Sequence, residues 1–121
     1  MSRIVHFEIG AEEPERAVKF YQDVFSWQVD KWEGPLDYWM VKTGKDEEPG
    51  IDGAIMDRNP AQPVINTIDV PSVDGLAQKV TGAGGRIIQE KMAVPGVGWF
   101  AYCADTEGNV FGIMEEDETA K

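Results

Sequence analysis

The sequence has 121 residues, of which 42% are hydrophobic, and this is enough for one ordinary domain. Its 22 acidic and 11 basic residues give a formal net charge of −11, which disfavours nucleic acid and anionic membrane surfaces as partners. The single cysteine, Cys103, excludes a disulfide within one chain and is predicted to be a buried structural thiol. The first residues lack an apolar stretch of signal-peptide or membrane-span length, so we expect a cytoplasmic protein.

The first half of the chain predicts a strand, a helix and three further strands. The run IVHFEI (4–9) alternates apolar and polar residues, as a strand with one apolar and one mixed face does. Segment 12–25 predicts a helix, with Pro14 in its first turn and an apolar stripe along one side. Three strand candidates then follow between turn residues, at 26–33, 37–43 and 50–56.

The second half repeats this order of elements. It predicts a strand at 64–70, a helix at 73–83, and strands at 86–90, 99–104 and 109–115. At a constant offset of 59 residues the apolar positions of the two halves coincide, with Val5 matching Val64 and Gly53 matching Gly112. We therefore predict an α+β fold of two tandem β-α-β-β-β modules whose curved mixed sheets enclose a cleft.

The modules are expected within a single domain, 1–121. Module one covers residues 1–58, a linker covers 59–63, module two covers 64–116, and an acidic tail covers 117–121. The loop MAVPGVG (92–98) is a candidate lid, because its proline and glycines argue against a helix. The acidic run Glu115 to Glu118 is expected to be a solvated, partly disordered tail.

Three segments of this chain resemble the vicinal oxygen chelate superfamily, which includes glyoxalase I, bleomycin-resistance proteins and extradiol dioxygenases. They are HFEIGAEEPERAVKFYQDVFSW, AGGRI and VPGVGWFAYCADTEGNVFGIME, and together they span nearly the whole chain. The turn at 105–109, before the final strand, is the most specific part of the resemblance. The resemblance implies a glyoxalase-like fold of two modules, a site in a cleft and a homodimer.

The resemblance also implies a metal site, of which this chain retains little. Family enzymes hold a divalent metal with residues from the first and last strand of each module. Carried onto this chain, those positions are His6, Ile65, Gly53 and Gly112. His6 is the only ligand-type residue among them, and one imidazole does not satisfy zinc, nickel or iron. We therefore expect no metal cofactor, with a non-standard set of His6, Glu8 and Asp69 as the disfavoured alternative.

The mixed face of the first strand carries the candidate acid–base residues. His6 is the only histidine, and its side chain ordinarily titrates near neutrality. Glu8 shares its strand face, and its charge can raise the imidazole pKa. The alternative is that His6 is a cleft residue whose hydrogen bonds are simply satisfied.

The predicted ligand cleft takes polar and aromatic residues from both modules. Trp39 and Trp99 are candidates for stacking on a planar or cationic ligand, with core or dimer-interface packing as the alternative. Glycines at the family's glutamate positions either empty the metal pocket or permit a close backbone approach. The predicted lining is His6, Glu8, Trp39, Thr67, Trp99 and Gly112.

The sequence leaves three functions open, and whether the chain is an enzyme stays undecided. The first is binding of a small organic ligand in a metal-free cleft, for sequestration or sensing. The second is a metal-independent lyase or isomerase in which His6 or Glu8 moves a proton. The third is a metal-dependent lactoylglutathione-lyase-like or dioxygenase activity, which the count of ligand-type residues opposes.

Overall fold

The computed structural model describes residues 2–34, 36–58 and 63–121, which form two compact units. The first unit is His6–Ile65, and the second joins residues 2–5 to Asn66–Lys121. Residues 59–62 of the predicted linker lie outside the described residues. No helix in the described part of the chain is both long and apolar enough to cross a membrane.

The first unit contains the predicted β-α-β-β-β series. Its elements are β1 (Ile4–Ala11, whose first two residues belong to the second unit), α1 (Pro14–Phe25), β2 (Gln28–Lys31), β3 (Tyr38–Lys42) and β4 (Asp52–Asp57). The strand order is β2-β3-β4-β1, with β1 parallel to β4 and the other pairs antiparallel. A parallel pair needs a long crossover, which α1 and the two hairpin strands provide here.

The second unit repeats this arrangement and confirms the predicted α+β class. Its elements are β5 (Val64–Asp69, whose first two residues belong to the first unit), α2 (Val73–Gly82), β6 (Arg86–Val94), β7 (Gly98–Ala104) and β8 (Val110–Glu116). The strand order is β5-β8-β7-β6, with β5 parallel to β8 and antiparallel pairs beyond it.

The two helices begin and end with different local chemistry. Pro14 starts α1, and Ser26 ends it in the left-handed conformation with φ 59°. Ser72 caps α2, because its hydroxyl accepts the Gly75 N–H at 3.0 Å. Glu115 of β8 accepts the Val73 N–H at 2.9 Å, so the last strand also satisfies the start of α2.

Each unit packs its helix on one face of its sheet. In the first unit the buried residues Ala11, Val41 and Ile55 contact apolar side chains of α1. In the second unit the core includes Val73, Ile113 and Cys103, which is fully buried. Burial raises the pKa of the Cys103 thiol, and the prediction of a buried structural cysteine is confirmed.

Side-chain alternation defines a second face in each unit, which we call the mixed face. Phe7 and Ile9 pack on the α1 side, so His6 and Glu8 lie on the mixed face of the first unit. Trp99, Ala101 and Cys103 pack on the α2 side, so Phe100 and Tyr102 lie on the mixed face of the second unit.

Two predicted loop features were wrong. Strand β6 continues to Val94 and β7 begins at Gly98, so the expected lid at 92–98 is a tight hairpin. Gly96 makes the turn possible with φ 76°. The expected tail is also wrong, because Glu115 and Glu116 lie in β8. Beyond β8, Ala120 is 4% exposed and its carbonyl accepts the Gly96 N–H at 3.0 Å.

Candidate functional site

The side chains of His6, Tyr38 and Glu8 are joined by hydrogen bonds across the mixed face of the first unit, and we call them the His6 chain. The Tyr38 hydroxyl lies 2.8 Å from His6 Nε2 and donates to Glu8 Oε2 at 3.1 Å. Glu8 is 7% exposed and His6 is partly buried. A buried carboxylate and an imidazole therefore share one tyrosine hydroxyl.

Strand order explains how Tyr38 reaches these residues. Tyr38 lies on β3, whereas His6 and Glu8 lie on β1, and β4 runs between these strands. The tyrosine side chain must therefore pass over β4. The β4 residue paired with Glu8 is Ala54, which is fully buried and small enough to leave room for a ring above it.

The shared hydroxyl fixes where the imidazole proton lies. A tyrosine hydroxyl has one hydrogen, and here it goes to Glu8. The Tyr38 oxygen therefore accepts from His6, so Nε2 carries a proton. In a neutral imidazole, Nδ1 is then the basic nitrogen.

The electrostatic environment keeps His6 neutral. Desolvation lowers the pKa of His6, and it outweighs the charges of Glu8 and Asp52, which act to raise it. The predicted influence of Glu8 is therefore present, but the net direction of the shift is downward. At neutral pH the imidazole is a proton acceptor rather than a cation.

Two aromatic residues in or beside the His6 chain were not predicted as site residues. Tyr38 is one, and Trp32 is the other, with its ring 6.1 Å from the Tyr38 ring in an edge-to-face arrangement. Trp32 is 38% exposed, and Met40, also on the mixed face, is 43% exposed. An exposed apolar border therefore lies beside the hydrogen-bonded polar groups.

Trp39 does not belong with His6 and Glu8. It follows Tyr38 on β3 and so points to the other face, where it packs against the core beneath α1. The Lys31 ammonium lies 5.2 Å from its ring centroid. The structure places Trp39 in packing, which was the alternative interpretation of this residue.

The remaining predicted cleft residues belong to the second unit. Thr67 pairs with Gly112 on the mixed face and is 3% exposed. Trp99 packs on the α2 side instead, and its Nε1–H donates to Asp117 Oδ2 at 3.0 Å. Thr67 and Gly112 are therefore brought together, and Trp99 is not on their face. That residues of both units line one cleft stays a prediction.

The residues present do not fit the metal that the family resemblance implies. Within the described residues there is no group of three histidine, cysteine, aspartate or glutamate side chains that could hold an ion. A Cβ at Gly53 would meet the Phe7 carbonyl oxygen and ring, and one at Gly112 would lie 2.5 Å from the Phe100 ring. The Phe100 ring thus fills the space that a carboxylate side chain at position 112 would need. Gly53 instead faces α1 beside Phe7, so the predicted match of Gly53 with Gly112 is wrong, and position 53 does not face His6.

Two surface clefts of the first unit lie along the loop after β3. Their volumes are about 440 and 190 Å³, and both are lined by residues of segment 43–48. Asp52 borders the smaller cleft, where Oδ1 accepts the Thr43 N–H at 2.9 Å. These clefts are polar loop surfaces, so the His6 chain remains the better candidate for chemistry.

The fold and the repeated β-α-β-β-β unit now define the class of protein. The family model of the Glyoxalase/Bleomycin resistance protein/Dioxygenase superfamily matches the sequence of this chain over residues 3–113. The chain belongs to this superfamily.

Two curated relatives share sequence with almost the whole chain. They are each described as "Putative glyoxylase CFP32", from Mycobacterium bovis and Mycobacterium tuberculosis, and are 28% identical over 114 residues. The match covers 89% of this chain but only 42% of each relative, so the chain spans less than half of their length.

Several solved structures share the fold. A methylmalonyl-CoA epimerase in complex with methylmalonyl-CoA has a TM-score of 0.71 at 14% identity, covering 100% of this chain and 99% of its own. The Mycobacterium tuberculosis epimerase has a TM-score of 0.67 at 12% identity, covering 94% and 87%. A hypothetical protein from Bacillus halodurans has a TM-score of 0.71 at 16% identity, covering 99% and 98%. At these identities the likeness concerns the fold.

Proposed function

We propose that this protein binds a small organic molecule on the mixed face of its first unit, without a divalent metal. The observation that carries the proposal is the hydrogen-bonded chain of His6, Tyr38 and Glu8. It gathers three polar groups at one place, and the exposed rim of Trp32 and Met40 beside it offers apolar contact. A few convergent polar groups beside apolar surface are typical of ligand sites.

The charges of this face select the kind of ligand. Glu8 and Asp52 are acidic, and both act electrostatically on His6. Asp30 lies on the same face, because it pairs with Met40 across β2 and β3. The expected ligand is therefore neutral or cationic and carries a flat ring that can contact Trp32.

Three matched probes test this selectivity. We expect benzyl alcohol and benzylamine, but not benzoate, to shift the His6 Hε1 and Trp32 indole resonances in an NMR titration. The His6→Gln variant, read at Trp32, should weaken the response to both binding probes. Stronger binding of benzoate, or shifts that avoid Trp32 and His6, would contradict the proposal.

The His6 chain also favours a second candidate function, that of a metal-independent lyase or isomerase. Neutral His6 accepts a substrate proton at Nδ1, Nε2 passes its proton to the Tyr38 oxygen, and the Tyr38 proton moves to Glu8. The relay ends with a protonated Glu8 and with neutral His6 and Tyr38, and the negative charge passes from Glu8 to the deprotonated substrate. Among the proteins of similar fold are epimerases whose ligand is methylmalonyl-CoA.

Exchange with heavy water separates the two candidates. An enzyme of this type incorporates deuterium beside a carbonyl group, and methylmalonyl-CoA and hydroxyacetone are suitable test compounds. His6→Gln should abolish the incorporation, whereas a pure binding protein gives none in either form. The homodimer implied by the family resemblance is a separate proposal, which sedimentation equilibrium at two loading concentrations checks.

A further inference from the structure

Thr67 carries an unusual polar atom. Its side chain is 3% exposed, and its Oγ1 is the buried side-chain polar atom without a hydrogen-bond partner among the described residues. Buried polar groups are nearly always hydrogen-bonded, because leaving one unpaired costs stability. Valine has the same shape and would avoid this cost, so the hydroxyl calls for a physical explanation.

The hydroxyl lies above a glycine, beside the Phe100 ring. Thr67 pairs with Gly112, and Gly112 pairs with Tyr102 on the next strand. The point where a Cβ of Gly112 would lie is 3.2 Å from Thr67 Oγ1 and 2.5 Å from Phe100 Cζ. The Phe100 ring and the hydroxyl therefore meet over the bare backbone of Gly112.

We propose that the space over Gly112 is a second ligand subsite, which the Phe100 ring closes in this structure. Rotation of the ring away from Gly112 opens the subsite and uncovers Thr67 Oγ1. An oxygen atom of the ligand then takes the hydrogen bond that the threonine lacks. Phe100 is 8% exposed and therefore buried, but its ring lies on the mixed face and is not part of the core beneath α2, so its rotation leaves that core packed.

The surrounding residues define the ligand class. The row of side chains across this face is Gln89, Tyr102, Gly112 and Thr67, and it contains neither a basic group nor a carboxylate. An ionised group would lose hydration there without gaining an opposite charge. The Tyr102 ring, 4.7 Å from Phe100 and nearly perpendicular to it, remains as an edge-to-face partner. The ligand is therefore a neutral planar ring that bears one hydroxyl or carbonyl oxygen.

All residues of this subsite belong to the second unit, whereas His6, Tyr38 and Glu8 belong to the first. The stability of Thr67→Val gives the first test. We expect this variant to melt at a higher temperature than the wild type, because it removes an unpaired buried hydroxyl. The matched control is Thr81→Val, whose exposed hydroxyl bonds to helix carbonyls and whose loss should not raise the melting temperature. A lower melting temperature for Thr67→Val would overturn the proposal.

A matched pair of probes gives the second test. Benzyl alcohol and toluene differ by one hydroxyl group, so their affinity ratio reports the hydrogen bond to Thr67. We expect benzyl alcohol to bind roughly two- to ten-fold more tightly than toluene, with shifts at the Tyr102 and Phe100 amides. Thr67→Val should reduce that ratio to about one. An unchanged ratio, or no shifts at these amides, would refute the subsite.

Phe100→Ala tests the closing ring directly. Without the ring the subsite is open from the start, so benzyl alcohol should bind more tightly to this variant than to the wild type. Weaker or equal binding in the folded variant would show that Phe100 does not close the site. If this variant fails to fold, the wild-type and Thr67→Val titrations decide the question. Readings at His6 and Trp32 in the same spectra distinguish this subsite from the site of the proposed function.

Discussion

Glu8 and Thr67 hold matching positions 59 residues apart, and each is the buried polar side chain on the first strand of its unit. Glu8 receives a hydrogen bond from Tyr38, whereas Thr67 receives none within the described residues. Tyr38 pairs with Met56, two residues after the partner of Glu8, and Phe100 pairs with Met114, two residues after the partner of Thr67. The second unit thus has a phenylalanine, which carries no hydroxyl, where the first has the bridging tyrosine, and this explains why Thr67 lacks a matching donor.

Tyr38→Phe should destabilise the first unit. The change leaves the ring in place but removes the hydroxyl that serves both His6 and Glu8. A hydrogen bond to a charged group contributes about 1.5–3 kcal/mol, and we expect the free energy of unfolding to fall by up to that amount in urea titrations. Tyr21→Phe is the matched control, because the described contacts of Tyr21 are ring contacts. Equal losses in the two variants would contradict the role given to Tyr38.

The single histidine allows a direct measurement of pH dependence. Because burial lowers the folded-state pKa of His6, the unfolded chain binds the proton more tightly. The free energy of unfolding should therefore be greatest above pH about 6.5, the ordinary histidine pKa, and should decrease as the pH falls through the window below it. An NMR titration of Hε1 measures the pKa itself. A folded-state value above 6.5 would be incompatible with a neutral base, and His6→Gln should remove this part of the pH dependence.

The order of the elements could be predicted because its signals are local. Alternating residues mark the strands, and prolines and glycines separate them, so both β-α-β-β-β units are recognisable in the sequence. The β6–β7 hairpin was missed because Pro95 and Gly96 suggested a wider loop, although only the turn itself needs them. An edge strand tolerates such residues near its end.

The candidate site was predicted only in part, for a physical reason. His6 and Glu8 are two residues apart on one strand, so alternation alone places them together. Tyr38 joins them from a strand two places away in the sheet, and strand order is a non-local property. Trp39 was chosen by residue type, yet alternation with Tyr38 puts it on the opposite face. A lysine over each tryptophan, Lys31 on Trp39 and Lys91 on Trp99, shows that this packing is repeated in both units.

Gly53→Ala tests the close approach of β1 and β4. A methyl group there would meet the Phe7 carbonyl oxygen and ring, and the backbone of a central strand pair cannot easily move. Overpacking of this kind costs about 1–3 kcal/mol, which a urea titration measures. Gly82→Ala is the control, because no atom lies within 4 Å of its Cβ position at the end of α2. That variant should be neutral or slightly stabilising. A neutral Gly53→Ala would show that the space is not filled as described.

Removal of residues 117–121 should loosen the β6–β7 hairpin. Asp117 accepts the Trp99 indole N–H, and Ala120 both packs inside and binds the hairpin turn. We expect the melting temperature to fall by about 2–5 °C and tryptophan fluorescence to shift to longer wavelength. Deletion of the exposed Lys121 alone is the control. Unchanged fluorescence in the longer deletion would mean that Trp99 does not depend on Asp117.

Chelation followed by addition of metal tests whether this protein binds a divalent ion. Of the two glycines matched to the family's glutamates, Gly53 faces α1 and Gly112 lies under the Phe100 ring, and a lone imidazole is a weak ligand. A ligand that binds the native state raises the melting temperature by mass action, so a true site would show itself at low metal concentration. After treatment with EDTA, we expect nickel, zinc and iron(II) at equimolar and ten-fold excess to leave the melting temperature unchanged. The His6→Gln variant serves as the control for weak binding to the imidazole itself. A rise in melting temperature at equimolar metal that His6→Gln abolishes would mean that an ion binds at His6 together with other ligands. The metal-dependent activities of the superfamily would then have to be tested for this protein.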